Sequence, residues 1–149
     1  MGRPFKLEAV LNHRLHREEV ARKRYADAVR ELRRQQDRLT QIEITRREYR
    51  EALRRKQSDG YAVAEIILYA RYLTRLDTEI QTQAEVVRKH MKAKEKERQL
   101  LMTALKERKV IEKLKEHYVR QMEIEERGRE QKLINDVAIS RYQRAGKEL

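Results

Sequence analysis

Residues that could carry acid–base or metal chemistry are plentiful in this chain, but their spacing assembles no site. The 25 Asp and Glu residues alternate with 37 Lys and Arg residues, as solvated ion pairs along a helix do. His13 and His16 share one helix face, yet no third ligand is evident. The chain has no cysteine, which excludes disulfides and thiolate metal sites, and it has no glycine-rich phosphate loop. We therefore expect a protein that is not an enzyme and that holds no cofactor or metal.

The excess of basic residues predicts an acidic partner. The formal net charge is +12 and the pI is near 10.1. Charge of this size attracts nucleic acid, an anionic membrane surface or an acidic protein. No apolar run approaches the roughly 20 residues that span a bilayer, and residues 1–5 contain no apolar signal-peptide core. A cytoplasmic location is therefore the expectation.

One short stretch gives a strong turn signal in the interior of the chain. Gly60 is the only glycine between Gly2 and Gly128. Ser58 and Asp59 precede it, and both favour turns because their side chains bond the local backbone. Glycine also adopts a positive φ at little cost. We expect the chain to reverse here between two helices.

A heptad repeat runs from the N-terminus to this turn. Pro4 suits a helix start, because its missing N–H costs nothing in the first turn. The seam positions then recur at alternating spacings of three and four, as in a coiled coil; most are apolar, and the weak part is Arg14 to Ala21, where the seam is polar or small. These positions are Leu7, Leu11, Arg14, Glu18, Ala21, Tyr25, Ala28, Leu32, Gln35, Leu39, Ile42, Arg46, Tyr49 and Leu53.

A second seam follows the turn, is lost between Lys89 and Gln99, and resumes at Leu101. If the helices pair about residue 59, the polar residues 94–99 face residues 19–24, so the two weak stretches coincide. The sequence thus predicts an all-α fold: a long antiparallel two-helix coiled-coil hairpin, with the second helix longer than the first. We expect a single coiled-coil domain over 1–149, with helix one at about 4–57, the turn at 58–60 and helix two at about 61–144. The second seam consists of Ile66, Tyr69, Leu73, Leu76, Ile80, Gln83 or Ala84, Val87, Met91, Leu101, Leu105, Ile111, Leu114 and Tyr118.

Helix one is too short to cover all of helix two. It should reach about residue 113, which leaves residues 114–144 overhanging. The overhang stays patterned, with Leu133, Val137 and Ile139. An amphipathic helix without a partner in its own chain usually binds one elsewhere.

Several stretches resemble the flagellar type III export proteins of the FliJ family. The opening Phe-Lys-Leu-Glu-Ala-Val-Leu at residues 5–11 is similar to the start of that family. The far end is similar too, with Ile-Glu-Lys-Leu-Lys-Glu at 111–116 and Glu-Gln-Lys-Leu-Ile-Asn-Asp-Val-Ala at 130–138. Glu-Tyr-Arg at 48–50 and the Tyr-x-x-Tyr-Leu-x-x-Leu pattern at 69–76 agree around the turn.

This resemblance implies a stalk in the flagellar export apparatus. Family members form an antiparallel coiled coil similar to the central stalk of rotary ATPases. They bind the hexameric export ATPase (FliI-like), promote assembly of its ring, engage the export gate (FlhA-like) and are linked to export chaperones. The expected location is cytoplasmic, at the flagellar base, with peripheral membrane association through these partners.

The resemblance also implies two sets of contact residues. Near the hairpin tip, the residues that match the gate contact are Arg38, Ile42, Tyr49, Tyr72 and Leu76. Plain seam packing is the other interpretation of Tyr49 and Leu76, whereas Tyr72 lies beside the seam. The end that holds both termini should contact the ATPase ring through Arg3, Lys6, Leu133, Val137, Ile139, Arg141 and Arg144.

A basic helical hairpin that binds RNA or another nucleic acid is the alternative hypothesis. Bases are usually held by exposed aromatic side chains or defined loops, and most tyrosines of this chain fall on the seam. We therefore expect no specific nucleic-acid partner. A membrane or cytoskeletal tether is a third hypothesis.

Overall fold

Two helices make up almost all of the structure. The computed structural model of the chain describes residues 3–60 and 62–147. Helix α1 spans Glu8–Ser58 and helix α2 spans Val63–Lys147, with 51 and 85 residues. The helices pack against each other, and the described part of the chain contains no strand. The predicted all-α fold of two packed helices, the second longer than the first, is confirmed.

The reversal between the helices depends on one glycine. Gly60 has a φ of 76°, in the left-handed region that costs a residue with a Cβ about 1–2 kcal/mol. The amide of Asp59 donates a 2.9 Å hydrogen bond to the carbonyl oxygen of Arg55, which closes the last turn of α1. Helix α2 begins at Val63; Tyr61, where the sequence predicted its start, lies outside the described residues.

Helix α1 begins at Glu8 rather than at Pro4. The residues before it are engaged with α2 instead of extending α1. The ring of Phe5 lies 5.6 Å from that of Tyr118, centroid to centroid. The Tyr118 hydroxyl also donates hydrogen bonds to the carbonyl oxygens of Arg3 and Pro4, the second at 3.4 Å.

The chain divides into two compact units, each built from one stretch of α1 and one of α2. Unit 2 comprises Glu19–Thr103, and unit 1 comprises the residues up to Glu18 and those from Ala104 onward. In each unit the helices run antiparallel. In unit 2, for example, Arg46 pairs with Asp77, and Lys56, further along α1, pairs with the earlier residue Glu65.

The core of each unit is a thin seam. Among the described residues no side chain is less than 2% exposed. Leu76 is the most buried, at 3%. The buried residues occupy predicted seam positions with one exception, Ala104, and they are Leu11, Glu18 and Ala104 in unit 1 and Ala21, Leu32, Leu76, Gln83 and Val87 in unit 2.

Candidate functional site

Three tyrosines pack together where α1 and α2 of unit 2 approach the turn. The ring centroid of Tyr49 lies 4.5 Å from that of Tyr72 and 5.7 Å from that of Tyr69. The ammonium of Lys56 lies 4.8 Å from the centroid of the Tyr69 ring. Burial has the largest single effect on the pKa of Lys56 and lowers it, but the hydrogen bond and charge of Glu65, together with Tyr69, outweigh burial, so the pKa is raised. Tyr49 nevertheless stays 38% exposed, so this cluster both holds the helices together and presents an aromatic surface.

The other residues predicted for the gate contact have different environments. Arg38 is exposed and Ile42 is half-buried, and both line a surface hollow of about 270 Å³ together with Glu79. Leu76 is buried in the seam. The structure thus brings Tyr49 and Tyr72 into contact and Arg38 and Ile42 to one hollow.

A buried amide pair fixes how α1 and α2 align in unit 2. The Gln83 side-chain amide donates hydrogen bonds to the Gln35 side-chain oxygen at 2.8 Å and to the Gln35 carbonyl oxygen at 3.0 Å. Gln83 is only 6% exposed. A polar pair in an apolar seam is satisfied in one register only, because a shift leaves its buried groups without partners.

Charged residues replace apolar packing in the seam of unit 1. The carboxylate of Glu18, a residue only 5% exposed, pairs with the Arg108 guanidinium, which also bonds Glu112 at 2.6 Å. The hydrogen bond with Glu112, opposed by burial and reinforced by Glu18, raises the pKa of Arg108. Arg14 pairs with Glu107 in the same unit. The polar part of the predicted first seam is therefore bridged by ion pairs.

The N-terminal residues extend the covered part of α2 beyond the expected limit. Lys115 pairs with Glu8 at 3.0 Å, and Tyr118 contacts Arg3 and Phe5. Met122 is the last half-buried residue of α2. The uncovered segment is thus residues 123–147 rather than 114–144.

Large apolar side chains are exposed throughout this uncovered segment. At 100° per residue, Leu133, Ile134 and Val137 share one face of the helix, and Arg141 and Arg144 continue it. Ile139 lies on the other side. The exposed fractions are 65% for Leu133, 60% for Ile134, 45% for Val137, 55% for Ile139 and 82% for Tyr142.

The predicted basic ring contacts fall into two separate groups. Arg3 and Lys6 are exposed beside Tyr118, because the N-terminal residues pack there. Arg141 and Arg144 lie on α2 at least 23 residues further along, roughly 35 Å at 1.5 Å per residue. The structure therefore does not bring these two groups together.

Sequence reasoning missed exposed apolar residues next to the turn. Val63, Ile67 and Leu68 are 70%, 46% and 63% exposed. Their signal was present in the sequence, since residues 62–70 contain a single charged residue, Glu65. A two-helix seam uses only about two residues in seven. The other apolar residues of this stretch therefore do not pack in the seam and are exposed.

The described residues form no cluster of metal-ligating side chains. No three His, Asp or Glu side chains of residues 3–60 and 62–147 come close enough to hold a metal ion. His13 and His16 are both exposed. Over its described residues, neither helix contains an apolar stretch that could span a bilayer.

Comparison with known protein families matches the chain to a flagellar family. The family model described as "Flagellar FliJ protein" matches residues 3–147, which include both helices and the turn. No curated protein and no solved structure matches the chain.

Proposed function

Because the chain belongs to the flagellar FliJ protein family and is thereby a component of the flagellar export apparatus, we propose that it is the non-enzymatic stalk of that apparatus. One surface binds the hexameric export ATPase (FliI-like) and promotes assembly of its ring. A second surface binds the export gate (FlhA-like). The protein couples the two during protein export at the flagellar base and associates with the membrane and with export chaperones through these contacts.

The single observation that carries the ring contact is the uncovered segment, residues 123–147. Every residue of this segment is exposed. A helix that keeps an apolar face in water loses about 25 cal/mol for each Å² that a partner could cover. Leu133 and Val137 form the centre of that face, and Arg141 and Arg144 add positive charge for acidic residues of the ring. Arg3, Lys6 and Ile139 are secondary contacts, because they lie away from this face.

The double substitution Leu133→Ser/Val137→Ser in the full chain tests the ring contact. Both side chains are exposed, so the melting temperature should stay unchanged. Binding to the purified export ATPase should weaken by about tenfold or more, as for anchors at the centre of an interface. Val110→Ser is the matched control, because Val110 is 58% exposed on the same helix but outside the uncovered segment. Equal binding by the double variant and the control would contradict the ring assignment.

Tyr49 and Tyr72 support the second contact, with the export gate. Aromatic side chains that are fixed by neighbours and partly exposed are frequent anchors of protein interfaces. The 4.5 Å ring contact fixes Tyr72 and leaves an exposed aromatic edge. Arg38 and Ile42 extend this surface along α1, and Leu76 positions Tyr72 from within the seam.

Tyr72→Ala should weaken binding of a purified gate domain by about 1–3 kcal/mol, roughly 5- to 150-fold. Helicity should change little, because Tyr72 is half-buried beside the seam. Tyr142→Ala is the matched control, since Tyr142 is exposed on the uncovered segment. If Tyr72→Ala lowers the melting temperature sharply while the folded variant still binds the gate normally, Tyr72 is a packing residue and the assignment is wrong.

A further inference from the structure

An apolar cap lies at the end of unit 2 where the two helices meet. We define the apolar cap as Val63, Ile67 and Leu68, in the first two turns of α2. These side chains are 70%, 46% and 63% exposed. Large aliphatic side chains exposed together next to a turn indicate a surface that is covered in the working protein.

Packing against α1 does not account for the cap. The half-buried residues Ile66, Tyr69 and Leu73 already supply the seam in this part of α2. At 100° per residue, Val63, Ile67 and Leu68 lie within an arc of about 140° on the face of α2 that points away from the seam. Leu68 lies one helical turn before Tyr72, so the cap borders the residues that carry the proposed gate contact.

Exposed arginines lie near the cap on both helices. We define the basic collar as Arg54 and Arg55 at the end of α1 and Arg71 and Arg75 on α2, all of them exposed. Two of these arginines form ion pairs along their own helix: the Arg55 guanidinium lies 3.6 Å from the Glu51 carboxylate, and the Arg75 guanidinium lies 3.3 Å from the Glu79 carboxylate. Arg54 and Arg71 have no ion pair within the described part of the chain.

Two carboxylates lie near the cap. Glu65, between Val63 and Ile67, pairs with Lys56 at 3.4 Å, and Asp59 lies in the turn, four residues before Val63. The cap itself is apolar, and the four arginines of the collar outnumber these two carboxylates.

We propose that the cap and the collar bind an anionic lipid surface directly. The cap residues share the outer face of α2, and the apolar face of a helix that binds a membrane enters the headgroup boundary to a depth of about 5–10 Å. Arg71 follows Ile67 and Leu68 by about one helical turn, so it reaches the headgroup level when the cap is inserted. Each Lys or Arg near an anionic surface adds to the attraction.

The charge beside the cap favours an anionic lipid surface over a protein groove. Arg71 lies on the same outer face of α2 as Ile67 and Leu68 and is exposed. Helices that bind anionic lipid combine an apolar face with such basic residues. This contact goes beyond the ring and gate contacts and does not depend on either.

A single tryptophan in the full chain tests the proposal. The chain contains no Trp, so Leu68→Trp reports on the cap alone. Leu100→Trp is the matched control, because Leu100 is exposed on α2 of the same unit but far along the helix from the cap. The probes are vesicles of phosphatidylcholine alone and vesicles of equimolar phosphatidylcholine and phosphatidylglycerol, at physiological salt. With the anionic vesicles, Leu68→Trp fluorescence should shift to the blue and be quenched by brominated lipid, whereas Leu100→Trp should do neither.

A second variant separates insertion from simple charge attraction. Ile67→Ser/Leu68→Ser should lower partition into the anionic vesicles by about tenfold or more, since two apolar side chains no longer leave water. Leu100→Ser should leave partition unchanged. No partition of the wild-type chain, or equal partition by the Ile67→Ser/Leu68→Ser variant, would overturn the proposal. Loss of gate binding by that variant with unchanged vesicle partition would also overturn it, because the cap would then be a protein contact.

Discussion

Removal of the Glu18 carboxylate should destabilise unit 1 by about 1–3 kcal/mol. Breaking a fully buried ion pair costs about 3–5 kcal/mol, and breaking an exposed one costs about 0–1 kcal/mol. Glu18 is 5% exposed. When its carboxylate is removed, Arg108 still forms its ion pair with Glu112 at 2.6 Å, and the Arg108 side chain is 16% exposed to water. The cost of Glu18→Ala should therefore lie between these limits. At about 2–4 °C per kcal/mol, the melting temperature should fall by about 2–12 °C.

Thermal unfolding followed by far-UV circular dichroism measures this effect. Glu125→Ala is the control, because Glu125 pairs with Arg129 at 3.7 Å on the exposed surface and should cost less than about 0.5 kcal/mol. The double variant Glu18→Leu/Arg108→Met should recover most of the loss or exceed the wild type, since replacing a buried pair with apolar residues is often neutral or stabilising. If Glu18→Ala loses no more stability than Glu125→Ala, the buried pair does not hold unit 1 together as described.

Three further predictions concern the turn, the seam register and the nucleic-acid alternative. Gly60→Ala should destabilise the protein by about 1–2 kcal/mol because of the positive φ of Gly60. Gly128→Ala, inside α2 with open space around it, should instead raise local helix stability by about 1 kcal/mol and slow amide exchange nearby. If both substitutions changed stability in the same direction, the turn geometry would be contradicted. Gln35→Leu/Gln83→Leu should raise the melting temperature but broaden spin-label distances across unit 2, and an unchanged distribution would show that the amide pair does not fix the register. Filter binding to RNA should disappear between low and physiological salt, as for nonspecific attraction, and sequence-selective binding that persists would favour the nucleic-acid function.

The helices and their pairing could be predicted because the heptad pattern and a single turn glycine agree. Alternation of three and four residues over α1 and the first part of α2 determines which faces meet, and Gly60 determines where the chain reverses. The family resemblance rested on the order of several weakly specific stretches, and the match over residues 3–147 confirms it.

The ends of the pairing could not be predicted, because they depend on contacts between residues distant in sequence. Pro4 is compatible with a first helical turn, but Phe5 packs on Tyr118 and α1 begins only at Glu8. The same contact moves the start of the uncovered segment from 114 to 123. A pattern of apolar residues also does not say how much of each is buried, so Tyr49 and Leu76 could not be separated into a partly exposed residue and a buried one.

Removal of the uncovered segment tests the central claim most directly. A chain that ends at Glu123 keeps the Glu18–Arg108 pair and the Tyr118 contacts, so it should unfold cooperatively near the wild-type temperature. It should lose its stimulation of export ATPase ring assembly and hydrolysis, while its affinity for the gate stays unchanged. Full stimulation by this truncated chain would contradict the account, because the ring contact would then lie elsewhere on the protein.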